Sequence, residues 1–175
     1  MMTSCVYVLD TSAFLSGKPL DLSKGLGVTC PLVVAELRPG GRDYRNFMIV
    51  HAQGLRVEEP CKESMQRVVQ VVEELGEQHR LSQADVQLLA LALMYVTNSY
   101  KVVLFSDDYS IQNVAEHLCI PYQGLSEKGI TKKLKWYWRC PGCRKTFDSF
   151  VKRCPICGKE PRHIPRSIKK IKKKR

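Results

Sequence analysis

The chain has 175 residues, a formal net charge of +11 and an apolar fraction of 44%, which allows one medium domain with its own core and one small module. The charge is uneven, because residues 1–127 carry 10 Lys/Arg and 15 Asp/Glu whereas residues 128–175 carry 18 Lys/Arg and 2 Asp/Glu. No signal-peptide pattern is visible, and the longest apolar run, residues 88–96, is too short to cross a bilayer. These features argue against a secreted or membrane protein. They predict a cytoplasmic protein with a polyanionic partner, of which nucleic acid is the usual one.

Short apolar runs alternate with helical patterns over the first 125 residues. The run CVYVL at 5–9 is continuous and apolar, as is typical of a central parallel strand. Further strands are predicted at 27–30, 54–59, 101–106 and 119–125. Helices are predicted at 31–37, 42–53, 62–79, 81–97 and 109–118. This alternation predicts an α/β domain over residues 1–125, with a parallel sheet flanked by helices.

Four cysteines near the C-terminus form two pairs, Cys140-Pro-Gly-Cys143 and Cys154-Pro-Ile-Cys157. Each pair brings two thiolates together on a tight turn, and four thiolates in a tetrahedral array suit structural zinc. A rubredoxin-like iron centre uses the same ligands and stays open as an alternative. The sequence therefore predicts a zinc ribbon at 135–161, after a polar linker at 126–134 and before a basic tail at 162–175. The other cysteines are expected in the core: Cys5, Cys30, Cys61 and Cys119.

Basic and aromatic side chains alternate around these cysteines and continue into the tail. Cations bind phosphates and aromatic rings stack on unpaired bases, so the pattern favours single-stranded nucleic acid. The alternative for Trp138 and Phe147 is a place in the small core of the ribbon itself. The predicted RNA-binding residues are Trp136, Tyr137, Arg139, Arg144, Lys145, Lys152, Arg153, Lys169, Lys170, Lys172, Lys173, Lys174 and Arg175.

Acidic residues occur at or near the ends of several predicted strands and helices. Asp10 follows the first strand, Asp107 and Asp108 follow the strand at 101–106, Glu36 lies in the helix at 31–37, and Asp85 lies in the first turn of the helix at 81–97. Taken singly, the aspartates could be helix caps and Glu36 could face water. Together they are expected at the carboxyl edge of the sheet, where active sites of open α/β folds lie.

Carboxylates about 5 Å apart repel by about 3 kcal/mol per pair at an effective dielectric near 20. A divalent cation removes this repulsion, and hard oxygen ligands suit magnesium or manganese. Such an ion can activate water for attack on a phosphorus atom. The four histidines form no candidate Ser–His–Asp arrangement and are expected as surface or packing residues.

The segments VYVLDTSAFL, PLVVAEL, LSQADVQLLALAL and VVLFSDDYSIQNVA resemble the four acidic motifs of the PIN-domain nucleases. With the four-cysteine ribbon, the chain is similar to the Nin-one-binding endonuclease family in its compact archaeal form. The resemblance implies a PIN-like fold and a metal-dependent endoribonuclease that trims the 3′ end of small-subunit rRNA. It also implies the nascent small ribosomal subunit as working environment and a KH-domain assembly factor as partner.

The same resemblance implies roles for individual residues. Acidic ligands of magnesium or manganese would be Asp10, Glu36, Asp85 and Asp108, with Asp107 as a further candidate. Ser12 and Ser106 would orient the carboxylates, and Asn113 would shape the same loop. Two other functions stay open. A non-catalytic rRNA-binding assembly factor would keep the fold without cleavage, and a toxin-type PIN ribonuclease would usually lack the ribbon.

Overall fold

The computed structural model describes residues 5–17, 22, 24–125 and 132–170. Five parallel strands form one sheet in the order β3-β2-β1-β4-β5. The strands are β1 Cys5–Leu9, β2 Gly25–Thr29, β3 Arg56–Val57, β4 Lys101–Phe105 and β5 Tyr122–Gln123. The flanking helices are α1 Thr11–Leu15, α2 Pro31–Glu36, α3 Arg42–Ala52, α4 Lys62–Leu75, α5 Gln83–Thr97 and α6 Tyr109–His117. The predicted parallel α/β sheet is confirmed.

The core forms around β1 and α5. Val6, Val8 and Leu9 of the central strand have no exposed surface, in agreement with the continuous apolar run that predicts a strand buried on both faces. Residues 88–92 of α5 are also completely buried. Burial of several such side chains, each worth about 1.5–3 kcal/mol, holds the edge of the sheet in a fixed geometry.

The structure corrects the predicted end of α4. This helix ends at Leu75, four residues before the predicted end, because Gly76 adopts a left-handed conformation with φ of 71° and its N–H bonds back to Glu73 and Val72. The sequence of this helix also predicts an apolar stripe of Met65, Val68, Val69, Val72 and Leu75, but Val69 is 41% exposed. The buried positions of α4 include Val68, Val71, Val72 and Leu75.

A second, antiparallel sheet follows in the order β7-β6-β8, with β6 Lys132–Arg139, β7 Thr146–Phe147 and β8 Arg162–Lys170. Strand β6 begins inside the predicted linker, and β8 occupies most of the predicted basic tail. The long pairing of β6 with β8 explains both differences, because its backbone hydrogen bonds do not depend on the basic side chains that made these segments look solvated. The domain boundaries remain a prediction.

Two of the cysteines expected in the core, Cys61 and Cys119, are exposed, whereas Cys30 is buried. Cys61 directly precedes α4, and Cys119 follows α6 with a φ of 57°. Both therefore lie at helix ends rather than on apolar faces. Within the described part of the chain, no helix is long and apolar enough to span a membrane.

Candidate active site

The carboxyl ends of β1 and β4 meet at the centre of the parallel sheet. Asp10 follows β1, and its N–H donates to the Phe105 carbonyl of β4 at 3.1 Å. Asp107 and Asp108 follow β4 directly. The chain leaves β1 toward β2 on one side and returns as β4 on the other, so this edge is a topological switch point, where crevices form in open α/β sheets.

Asp10 is held by three hydrogen bonds and is only 7% exposed. Its Oδ1 accepts the Thr11 N–H at 2.6 Å and so caps α1. Its Oδ2 accepts the hydroxyls of Ser12 at 3.0 Å and Ser106 at 2.8 Å. Burial raises the pKa of Asp10 despite these bonds, and the charge of Asp108 raises it further.

Ser12 and Ser106 also fix the loop after β4. The Ser12 Oγ accepts the Asp107 N–H at 3.2 Å, and the Ser106 Oγ accepts the Asp108 N–H at 3.1 Å. Each hydroxyl therefore links a backbone amide of this loop to the Asp10 carboxylate. These contacts are those expected of side chains that orient a metal-binding carboxylate.

Asp85 and Asp108 each cap a helix. Asp85 and Ser82 form a reciprocal capping box on α5, in which the Ser82 N–H donates to Asp85 Oδ2 at 2.7 Å. Asp108 Oδ1 accepts the N–H groups of Ser110 at 2.6 Å and Ile111 at 3.3 Å at the start of α6. Burial raises the pKa of Asp85 to about 6, and the charges of Asp10 and Asp108 contribute to that rise. These aspartates are thus caps and also members of one electrostatically coupled group.

Glu36 reaches the same place from the end of α2, although it is exposed. Its Oε2 accepts the Thr11 hydroxyl at 3.1 Å, and its Oε1 accepts the Ser82 hydroxyl at 3.4 Å. Glu36 therefore joins the first turn of α1 to the cap of α5. We call Asp10, Glu36, Asp85 and Asp108 the acidic cluster.

The structure gives Asp107 and Asn113 other partners. The Asp107 Oδ1 accepts the Leu125 N–H at 2.7 Å, which ties the loop after β4 to the end of β5. The Asn113 amide donates to Glu77 Oε1 at 2.8 Å in a buried position. The roles of Asp107 in holding a metal and of Asn113 in shaping the same loop remain predictions.

The donor chemistry of the acidic cluster fits a divalent cation. All four side chains offer hard carboxylate oxygens, and a divalent cation would offset the repulsion among the charges of Asp10, Asp85 and Asp108. Among the described residues, the group of three or more side chains already gathered as metal ligands is the cysteine set, whose sulfur atoms lie within 4.8 Å of one another. Helix capping fixes each aspartate of the acidic cluster to a different helix, α1, α5 or α6.

The four ribbon cysteines form a compact tetrad. The Sγ atoms of Cys140 and Cys157 are 3.2 Å apart and those of Cys143 and Cys154 are 3.4 Å apart, well beyond a disulfide bond. The two turns have the same hydrogen bonds. Cys140 N donates to Lys145 O, Cys154 N donates to Lys159 O, and both bonds are 2.9 Å long. Four sulfur ligands in two matched turns fit a structural zinc ion.

The predicted RNA-binding residues fall into three groups. Exposed cations surround the cysteine turns: Arg139, Arg144, Lys145, Lys152 and Arg153. Lys169 and Lys170 belong to β8, whereas Lys172, Lys173, Lys174 and Arg175 lie outside the described residues. The aromatic residues Trp136, Tyr137 and Trp138 lie on β6 and are partly buried.

The two tryptophans are engaged within the protein. The Trp136 indole N–H donates to Glu77 Oε1 at 2.9 Å, and the Arg80 guanidinium lies 4.2 Å from its ring centroid. Trp138 stacks on His163 with centroids 4.7 Å apart and contacts Phe150 edge-on at 4.8 Å. The Trp136 ring therefore holds the ribbon sheet against the α/β domain. The Trp138 ring packs inside the ribbon, as in the alternative that placed it in the small core of the ribbon.

Glu77 and Arg80 have no counterpart among the predicted site residues. Both lie between α4 and α5, and Glu77 is 1% exposed. The predicted α4 ran through Glu77 to residue 79, so the acid looked like part of a solvated helix face. The sequence signal that could have placed Glu77 outside the helix is Gly76, because a glycine in the left-handed conformation ends α4 just before Glu77.

Comparison with known proteins agrees with this geometry. Residues 7–95 match the family model described as "PIN domain of ribonuclease". The chain is 37% identical to Endoribonuclease Nob1 of Archaeoglobus fulgidus over 89% of this chain and 88% of that protein. It is 36% identical to Ribonuclease VapC1 of Thermoplasma acidophilum over 96% of this chain and 83% of that protein. It is also 36% identical to Endoribonuclease Nob1 of Pyrococcus abyssi over 95% of this chain and 98% of that protein. The chain therefore belongs to the PIN-domain ribonucleases and is an endoribonuclease of the Nob1 type.

Proposed function

We propose that this protein cleaves single-stranded precursor rRNA at the 3′ end of the small-subunit rRNA, with magnesium or manganese at the acidic cluster. The observation that carries the proposal is the placement of Asp10 and Asp108 at the switch point of the sheet, where the Ser106 hydroxyl contacts both residues. Glu36 accepts the hydroxyls of Thr11, next to Asp10, and of Ser82, which caps α5 together with Asp85. The similarity to two archaeal Nob1 endoribonucleases over about nine-tenths of the chain supports the substrate.

The four carboxylates of the acidic cluster would hold the cation, while Ser12 and Ser106 keep Asp10 in place. A bound divalent ion supplies activation of water and neutralisation of charge on the phosphate. In the hydrolysis, the water oxygen bonds to phosphorus, the bond from phosphorus to the 3′ oxygen breaks, and that oxygen takes a proton. The products would carry a 5′-phosphate and a 3′-hydroxyl.

The basic C-terminal part would hold the RNA. Residues 128–175 carry 18 Lys/Arg against 2 Asp/Glu, and the exposed cations around the cysteine turns suit backbone phosphates. We place the reaction on the nascent small ribosomal subunit in the cytoplasm, with a KH-domain assembly factor as a partner. One structural zinc ion would complete the ribbon.

The test is incubation of the protein with RNA that spans the mature 3′ end of small-subunit rRNA, in magnesium, in manganese and in EDTA. We expect one cut at that end, lost in EDTA and in Asp85→Asn. Asp43→Asn is the matched control, because Asp43 also accepts a backbone N–H, from Arg38 at 3.1 Å, outside the acidic cluster. Absence of cleavage in both metals would favour the assembly-factor alternative, and equal cleavage of unrelated RNAs would favour a toxin-type ribonuclease.

A further inference from the structure

A cleft of about 490 Å³ adjoins the acidic cluster on the side that faces the ribbon. It is lined by His79, Arg80, Asp107, Asp108, Tyr109 and Ser110. Asp108 belongs to the acidic cluster, and His79 contacts Trp138 edge-on with ring centroids 5.8 Å apart. The cleft therefore runs from the proposed cleavage site toward the sheet that carries the cysteine tetrad.

Arg80 is fixed in this cleft from three elements of the fold. Its Nε donates to the Ser110 hydroxyl of α6 at 3.1 Å and lies 3.5 Å from Glu77 Oε2, in the connection before α5. Its guanidinium carbon lies 4.2 Å from the ring centroid of Trp136 on β6. An arginine side chain loses about 2 kcal/mol of rotamer entropy when it is ordered, so a partly exposed arginine with three supports is preorganised.

Glu77 is itself held in place. Its Oε1 accepts the Asn113 amide at 2.8 Å and the Trp136 indole N–H at 2.9 Å. The same carboxylate therefore supports the arginine and the tryptophan on which the arginine lies. This arrangement joins α6 and β6 around the base of the Arg80 side chain.

The outer donors of Arg80 remain available. The Arg80 side chain is 42% exposed, and among the residues that the structure describes only its Nε has a hydrogen-bond or ion-pair partner. The two Nη groups carry four N–H donors in a fixed plane, the geometry that binds a phosphate through two parallel hydrogen bonds. A cation is also needed there, because Asp107 and Asp108 line the same cleft and would repel an RNA strand.

We infer that Arg80 binds a backbone phosphate of the RNA strand next to the scissile linkage, and that Glu77, Ser110 and Trp136 position its guanidinium. The inference rests on the proposed RNA cleavage at the acidic cluster. It assigns Trp136 a positioning role through Arg80, so the ribbon strand β6 completes the substrate cleft of the α/β domain.

The first test compares full-length wild type, Arg80→Ala and Arg80→Lys on the RNA used above. A charge-assisted phosphate contact is worth about 1.5–3 kcal/mol, so we expect kcat/KM to fall about 10- to 150-fold in Arg80→Ala. Arg80→Lys should recover part of this loss, because it keeps the charge without the two-pronged geometry. Arg67→Ala is the matched control, since Arg67 is an exposed arginine of α4 whose Nη1 contacts Gln70. Thermal unfolding of each variant separates loss of fold from loss of contact.

The second test locates the contact with RNAs that carry one uncharged methylphosphonate at successive linkages around the cut. One flanking linkage should weaken wild-type cleavage when neutralised and have little further effect in Arg80→Ala. The slope of log affinity against log salt should also fall by about 0.7 in Arg80→Ala, as for one phosphate on a single strand. Trp136→Leu alone should lower kcat/KM, whereas adding Trp136→Leu to Arg80→Ala should cause little further loss of kcat/KM.

The outcomes separate this inference from the proposed function. If wild type cleaves and Arg80→Ala cleaves equally well with the same salt slope, the inference is wrong and the proposed function stands. The inference is also wrong if, at every linkage, neutralising the phosphate reduces cleavage by the same factor in Arg80→Ala as in wild type. If wild type cleaves no RNA in either metal, the proposed function fails and the inference fails with it.

Discussion

Asp10 combines a structural and a chemical role in one side chain. One carboxylate oxygen caps α1, and the other accepts both serine hydroxyls, so the carboxylate has little freedom to turn. Burial nevertheless raises its pKa, which means that the fold disfavours the charge that these bonds orient. A divalent cation would relieve that unfavourable charge.

Asp10→Asn should abolish cleavage while RNA affinity stays within about twofold, because the ribbon cations that hold RNA are separate from the acidic cluster. The neutral amide removes one charge from the cation site and places an N–H₂ group near two hydroxyl donors. The measurements are the cleavage rate in manganese and RNA affinity in EDTA. A parallel loss of cleavage and affinity would contradict this division of roles.

Glu77 offers a test by pH. Burial raises its pKa above the ordinary value of 4.5, opposed by bonds from Asn113 and Trp136 and by the Arg80 charge, its one charged neighbour among the described contacts. The folded state therefore holds the Glu77 proton more tightly than the unfolded state. Its contribution to stability is fully present below about pH 4.5 and is lost as the pH rises through the raised pKa.

Unfolding in urea from pH 4 to pH 7 measures this effect. We expect the free energy of unfolding of wild type to decline more steeply with rising pH than that of Glu77→Gln, which has no proton to lose. Glu73→Gln, on the exposed face of α4, should keep the wild-type slope. Identical slopes for wild type and Glu77→Gln would show that the carboxyl titrates alike in the folded and unfolded states.

At the level of elements, the end of α4 determines how closely β6 approaches the α/β domain. Gly76 has a φ of 71°, and a methyl group on its Cα would overlap the Trp136 carbonyl oxygen. Both the left-handed conformation and the close approach therefore require glycine. The contact places the tryptophan beside Glu77 and Arg80.

Gly76→Ala should lower the free energy of unfolding by about 2 kcal/mol or more. About 1 kcal/mol comes from the left-handed conformation and the rest from the overlap with β6. Gly40→Ala isolates the first part, because Gly40 has a φ of 79° and no atom within 4 Å of its added methyl group. Chemical denaturation of the three proteins gives the comparison, and equal losses in both variants would exclude a steric contact with β6.

Elements with strong local signals could be predicted from the sequence. The central strand has an unbroken apolar run, and Ser82 with Asp85 forms the predicted capping box, because caps depend on residues only three positions apart. Strand β8 was missed because its pairing with β6 joins distant segments rich in basic residues. The contact of Glu77 with Trp136 spans 59 residues and follows from tertiary packing alone.

For the whole molecule, the cysteine tetrad and the apolar core stabilise different parts. The core of the α/β domain includes buried residues from β1, α4, α5 and α6, whereas the region around the cysteine turns has mostly exposed side chains. A region with so little buried apolar surface depends on its metal for folding. Loss of zinc should therefore act locally.

Removal of zinc by a chelator should release one ion per chain and lower RNA affinity at least tenfold, while the helical signal in far-UV circular dichroism stays. Cys140→Ser should reproduce the effect. Cys119→Ser is the control, since Cys119 is exposed and lies outside the tetrad. Global loss of helix on chelation would show that the α/β domain needs the metal as well.

The hydroxyls of Ser12 and Ser106 each accept a backbone N–H and donate to Asp10, so each position needs an acceptor and a donor on one atom. Alanine would leave both the amide and the carboxylate short of a partner, whereas threonine keeps the same hydroxyl. We therefore expect natural variation at positions 12 and 106 to be confined to serine and threonine in active homologues. A homologue that keeps all four acids but has an aliphatic residue at either position would be a candidate for an enzyme that has lost its activity.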